Sequence, residues 1–152
     1  MGKVNSDQEI MEFAISREVE AYHFFLALAG RVEDPRMRQV FEDLAAEELE
    51  HKAKLELEIL KMGKTLPEKQ IPPGRPESGY IMSDSDLPLD IDYNDMLMLG
   101  IEKENAAFRM FVNLIPTVQD EESREVLLSL AEEEVRHKLR FQNEYDMLNK
   151  KA

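Results

Sequence analysis

The sequence predicts an all-α protein, a four-helix bundle made of two repeated helical hairpins joined by a long crossover linker. Three observations carry this reading. Apolar residues recur at helical spacing in four separate stretches. A region dense in proline and glycine, residues 63 to 91, divides those stretches into two pairs. The pairs align with one another at a constant offset of 86 positions, as in Ile15 and Ile101 (101 − 15), Ala21 and Ala107, Phe25 and Phe111, Leu28 and Leu114, Val40 and Val126, Leu44 and Leu130, and Ala45 and Ala131.

Each helix has its own start and stop. Ser6-Asp7-Gln8-Glu9 reads as a capping box, serine at the cap and glutamate three residues on. Ile10, Phe13, Ala14, Ala21, Phe25 and Leu28 follow with helical period, and Gly30 reads as the stop. Asp34-Pro35 restarts the chain with a cap and a proline at the first helical position. Val40, Phe41, Leu44, Leu55, Ile59 and Met62 carry the second helix to Gly63. Asp92 and Asp95 open the third, whose apolar positions are Leu97, Ile101, Phe108, Phe111, Leu114 and Ile115, with Pro116 at its end. Asp120 caps the fourth, with Leu127, Leu130, Phe141 and Leu148 on its stripe.

The chain therefore divides into a hairpin over 7–62, a linker over 63–91 and a hairpin over 92–149, all within one domain, 1–152. Neither hairpin can bury its own apolar face, but two related by a pseudo-two-fold axis can. Helices 2 and 3 then run parallel, and the chain must climb back along the bundle, roughly 40 Å at about 1.5 Å per residue. The linker spans 29 residues (63 to 91), which covers that distance at roughly 3.3 Å per extended residue. Its Ile71-Pro72-Pro73-Gly74-Arg75-Pro76 reads as a stiff spacer, a docking ligand being the alternative.

Composition narrows the chemistry. There is no cysteine, which removes disulfides, thiolate metal sites and cysteine nucleophiles together and fits a cytoplasmic location. No apolar run approaches a signal peptide or a membrane span. Asp and Glu number 32 against 19 Lys and Arg, a formal charge of −13. That field disfavours nucleic acid and favours cations or basic partners.

The repeat also carries a constellation. Glu48-Leu49-Glu50-His51 is echoed by Glu134-Val135-Arg136-His137, and Glu18 by Glu104, all at the same offset of 86. Residues i and i+3 share a helix face, so Glu48 points with His51 and Glu134 with His137. Leu44, Leu55, Leu130 and Phe141 lie around these pairs, which puts the polar residues on buried stripes. Glu18 and Glu104 likewise lie among apolar neighbours, and no lysine or arginine shares those stripes. Four buried carboxylates without a counter-charge would cost many kcal/mol, since even one buried charge costs several. Two divalent cations balance them. Imidazole with carboxylate suits iron, manganese or zinc. By the repeat, Glu18 and His51 serve one ion, Glu104 and His137 the other, and Glu48 and Glu134 bridge, the ligand set of carboxylate di-metal bundles.

The chain thus resembles the ferritin-like superfamily and, within it, the rubrerythrin-like branch. Arg17 to Phe25 and Lys103 to Phe111 resemble the branch's first-ligand helix, and Leu44 to Lys52 and Leu130 to Lys138 its Glu-x-x-His helix. The resemblance implies two iron ions reacting with O2 or H2O2, in peroxide or oxygen removal or in iron oxidation. It also implies a homodimer or larger assembly. Rubrerythrins with a rubredoxin-like domain draw electrons through cysteine-bound iron. A chain without cysteine must draw them from a separate protein or from Fe(II). Ile101, with Ile15 as its mate, stands where peroxidase rubrerythrins tend to carry an extra glutamate, so the resemblance does not extend to their carboxylate switching. An iron carrier with little turnover and a metal-stapled structural module are the alternative readings.

Tyr22, four residues after Glu18, is expected to face inward, as a hydrogen-bonding partner to a ligand or to peroxide, or as a core tyrosine. Its mate is Phe108. Glu47 and Glu133, a repeated pair beside the ligands, read as solvated or capping charges. His23 reads as a surface residue, and Met96, Met98 and Met110 as core.

Overall fold

The computed structural model describes residues 6–66 and 90–150. Four helices account for nearly all of them: α1 Asp7–Arg31, α2 Pro35–Lys61, α3 Tyr93–Leu114 and α4 Glu121–Asn149, with a short 3-10 turn Ile115–Thr117 before α4. The expected linker lies mostly outside the described residues, and its Pro-rich 71–76 wholly so.

The helix starts follow the capping chemistry. Ser6 Oγ accepts from Glu9 N–H while Glu9 Oε1 accepts from Ser6 N–H, both at 3.1 Å. Asp34 accepts from the Arg36 and Met37 amides ahead of Pro35. Asp92 accepts from Asp95 N–H and Asp120 from Ser123 N–H, each at 2.8 Å. Each cap satisfies amides that the first helical turn leaves without partners.

Two stops differ in kind. Gly63 ends α2 with a positive φ of 78°, the left-handed turn that glycine adopts without strain. Gly30, read above as a stop, is helical instead, and α1 runs on to Arg31. Its end is set by Val32, extended at φ −95°, which feeds the chain into the Asp34 cap two residues later. Phe13, Met98 and Phe108 depart from expectation too, lying 42%, 40% and 37% exposed. They sit at the edge of the helical stripe, where period alone does not separate core from rim.

Contacts across the bundle give the directions. Asp43 meets Arg140, Glu47 meets His137, His51 meets Glu133, and Lys61 meets Glu122. Rising numbers on α2 thus match falling numbers on α4, so the two are antiparallel. Each hairpin is antiparallel internally, so α2 and α3 run parallel, as the repeat requires. The fold is a ferritin-like helical bundle. Asp7, at the foot of α1, clamps the foot of α4, accepting from the Gln119 and Asp120 amides at 2.9 Å each.

The core is in two parts. Phe24, Phe25, Leu28, Phe41, Leu44, Leu97 and Phe141 fill one end. Ile10, Met11, Ile15, Leu55, Ile59, Phe111, Leu127 and Leu130 fill the other. Fully burying each such side chain stabilises the fold by about 1.5–3 kcal/mol. Gly100 matters to the first part, because a Cβ there would lie 2.8 Å from the Phe141 ring. Among the described residues no helix is long and apolar enough to cross a membrane.

Candidate metal centre

Between the two apolar clusters lies a polar layer. Glu18, Glu48, His51, Glu104, Glu134 and His137 meet there, none more than 4% exposed. They come from all four helices: Glu18 from α1, Glu48 and His51 from α2, Glu104 from α3, Glu134 and His137 from α4.

The layer resolves into two overlapping sets. Glu18, Glu48, His51 and Glu134 form one, and Glu48, Glu104, Glu134 and His137 the other; in each, one donor atom per residue lies within 4.8 Å of all the rest. Glu48 and Glu134 belong to both. His51 Nδ1 lies 3.1 Å from Glu48, 3.4 Å from Glu18 and 3.6 Å from Glu134. His137 Nδ1 lies 3.2 Å from Glu134, 3.3 Å from Glu104 and 3.8 Å from Glu48. The two imidazoles are parallel, interplanar angle 1°, with centroids 5.5 Å apart. The pseudo-two-fold axis of the chain therefore also relates the halves of this cluster.

The donor atoms are close yet misaligned for hydrogen bonding. Both oxygens of Glu48, Glu104 and Glu134, one of Glu18, and Nδ1 of both histidines are buried without a hydrogen-bond partner. Such orphans normally cost about 1–3 kcal/mol each, more for charged groups. So dense a concentration of inward-facing oxygens and imidazole nitrogens fits two divalent cations, with Nδ1 as the atom that each histidine could offer.

Charge behaviour agrees. Burial, and next the charge of Glu134, push the carboxyls of Glu48 and Glu104 well above the usual range. Glu18 is raised for the same two reasons. Burial also acts against charge on Glu134, but the imidazoles of His137 and His51 outweigh it and hold that carboxyl low. Burial disfavours the two imidazolium forms as well. The carboxylates of Glu134, Glu18 and Glu48 still raise His51, and those of Glu134, Glu48 and Glu47 raise His137. Without metal, the cluster keeps its charge small by holding protons.

Two residues that sequence reasoning placed in solvent belong here. Glu133 Oε1 accepts from His51 Nε2 at 2.8 Å, and Glu47 Oε1 accepts from His137 Nε2. Each is a cross-hairpin contact, from a glutamate on one half to a histidine on the other. Glu133 also accepts from Lys54 at 3.0 Å; partial burial opposes its ionisation, but Lys54 and His51 hold it below the usual carboxylate range. These contacts keep the Nε2 proton outward and turn Nδ1 toward the cluster. The signal was the repetition of Glu47 as Glu133 one position before the Glu-x-x-His step. Converting both to glutamine is expected to lower affinity for a divalent ion roughly 10–100-fold while the fold stays intact. Titration with Mn(II) or Zn(II) beside circular dichroism checks this, and unchanged affinity would remove the orienting role.

Tyr22 is half-buried against the phenylalanine-rich cluster, edge-on to His23 with centroids 5.2 Å apart. Among the described residues no hydrogen bond joins it to the six. Glu20, unremarked in the sequence, is fully buried and pairs with Arg17 and Lys103.

The family model for rubrerythrin matches residues 9–145. Among solved structures, a hypothetical protein from Pyrococcus furiosus is 24% identical with a TM-score of 0.74, covering 97% of this chain and 93% of that one. A manganese catalase from Anabaena PCC7120 is 20% identical with a TM-score of 0.71, covering 97% and 77%. A conserved hypothetical protein from Mycobacterium tuberculosis is 12% identical with a TM-score of 0.67, covering 93% and 98%. These likenesses concern the fold. A search of curated proteins found no match. With its match running almost end to end and a carboxylate–histidine cluster in its core, the chain belongs to the rubrerythrin family and is a di-metal carboxylate protein.

Proposed function

We propose that the chain is a di-iron oxidoreductase that couples oxidation of two Fe(II) to reduction of H2O2 or O2. The observation that supports it best is the pair of ligand sets sharing Glu48 and Glu134, enclosed by apolar clusters at both ends. Glu18, Glu48, His51, Glu104, Glu134 and His137 would hold the ions. Two such ions supply one electron each, which with two protons reduces one H2O2 to two waters.

The chain's own residues do the rest. Glu48 and Glu134 face both histidines, so they set the spacing of the two positions. Four carboxylates against two dications would leave no net charge. Glu47 and Glu133 hold the imidazoles in register. Leu44, Leu55, Leu130 and Phe141 keep bulk water from the layer. Manganese fits the same donors, and the fold shared with a manganese catalase keeps peroxide dismutation within the same proposal. Net reduction of O2 or H2O2 requires an electron donor outside the chain, a reduced protein or Fe(II) itself, whereas in dismutation a second H2O2 is the donor.

Stopped-flow absorbance of the anaerobic Fe(II)-loaded protein mixed with peroxide tests this. The expected result is oxidation within the mixing experiment, and many turnovers once a reductant is added. A single stoichiometric oxidation with iron retained would make the protein a carrier. Metal that is isolated as zinc and inert to peroxide would make it a structural staple.

A further inference from the structure

A small cavity opens on the seam between α1 and α3, with room for about one water-sized molecule, about 20 Å³. Its floor is buried Glu18, Glu20 and Ala21, and its rim is Ala106, Ala107 and Met110, each partly exposed. Arg17 and Lys103 flank it. Three repeat-mate pairs are in this lining: Arg17 with Lys103, Glu20 with Ala106, and Ala21 with Ala107. The cavity therefore straddles the pseudo-two-fold axis. The same axis exchanges Glu48 with Glu134, so a molecule travelling along it from the seam arrives midway between the two ligand sets.

We propose that this seam is the passage by which the small oxidant reaches the centre, and that Glu20 is its latch. Glu20 is fully buried, and its carboxylate accepts from Arg17 at 3.1 Å on its own helix and from Lys103 at 2.8 Å across the gap. That bridge holds two long cationic side chains in fixed places, 18% and 13% exposed, beside the opening. An opening of this size admits only small molecules, among them peroxide and dioxygen. Glu18 waits at the floor with one oxygen that has no hydrogen-bond partner. Ala106 and Ala107 supply the space, because a long side chain at either would close it. The inference rests on the oxidant chemistry proposed above.

The chain has no cysteine, so Ala106→Cys gives a unique thiol of nearly unchanged size at the rim. The probe is azide, an anion of about the right dimensions, followed by absorbance after mixing with the iron-loaded, oxidised full-length protein. Capping the Ala106→Cys thiol with methyl methanethiosulfonate is expected to slow azide association about tenfold or more, and a reductant to restore it. Affinity should stay within about twofold, because a barrier on the path slows arrival and departure alike. Ala106→Leu should slow azide in the same way without labelling. Ala53→Cys, on the exposed side of α2, should be insensitive to capping. Association rates unchanged by the cap and by Ala106→Leu would overturn the proposal. So would an altered affinity at unaltered rate, or an uncapped protein that takes no azide. Azide needs only a loaded centre. Absence of peroxide turnover would therefore defeat the oxidoreductase reading and leave the passage measurable, whereas an unaffected azide rate would defeat the passage alone.

Discussion

Replacing Glu48 and Glu134 together by alanine is expected to leave a folded chain that holds neither ion. Each carboxylate lies near the Nδ1 atoms of both histidines and belongs to both donor sets. Each set of four keeps only two donors in the double variant. Affinity should fall by more than the roughly 10–100-fold that loss of an outer partner costs. Glu18→Ala makes the contrast, because Glu18 belongs to only one set. That variant is expected to weaken one ion and spare the other. Metal analysis after dialysis, with anomalous scattering to locate what stays bound, distinguishes the two. An unchanged metal content in the double variant would end the ligand assignment.

Metal-free protein is expected to melt higher at about pH 5 than at about pH 8, and metal-loaded protein the other way round. For the metal-free chain the signs run together. Glu18, Glu48 and Glu104 have raised folded pKa values, so what they contribute is complete below their ordinary range and is lost as pH climbs through the folded values. His51 and His137 are raised as well, so theirs is complete below the ordinary histidine value and lost above it. Glu134 is depressed; its contribution is present throughout this window and fades only in stronger acid. Net repulsion in a chain of charge −13 acts in the same direction. Glu48→Gln with Glu104→Gln is therefore the control, and it should flatten the part of the slope that belongs to the cluster. Metal reverses the trend because it binds the deprotonated ligands and so binds better as pH rises. Two dications displacing protons held on Glu18, Glu48, Glu104, His51 and His137 should release several protons, measurable by calorimetry in buffers of different ionisation heat. With free metal at a thousand times Kd, each site adds about 4 kcal/mol. At roughly 2–4 °C per kcal/mol for a chain of this size, the two together raise Tm by roughly 15–30 °C. A metal-free protein equally stable at both pH values, with no proton release on loading, would contradict the account.

How far the sequence foretold this structure depends on the range of the interaction involved. Ser6, Asp34, Asp92 and Asp120 cap helices as their sequence contexts indicate, because capping is settled within three residues. The six inward residues were legible because helical period and an exact repeat together assign a face. Gly30 was misread because a glycine permits a left-handed stop without requiring one. Glu47 and Glu133 were misplaced for a different reason. Their partners lie 90 and 82 positions away on the opposite hairpin, and only the crossing of α2 and α4 brings them within reach. Glu20 had even less to announce it. Its mate is Ala106, so the repeat is silent there, and Lys103 comes from the other half of the chain.

Each donor set draws three residues from one hairpin and one from the other. Half the chain is thus an incomplete site, and two copies of one half would complete it. In a pair of identical hairpins, whatever stands on the axis stands there twice. A glutamate at the position of Glu20 would then confront its own copy. Because both hairpins are in one chain, the two positions differ, Glu20 on one half facing Ala106 on the other. The opening over the axis depends on that difference between the halves.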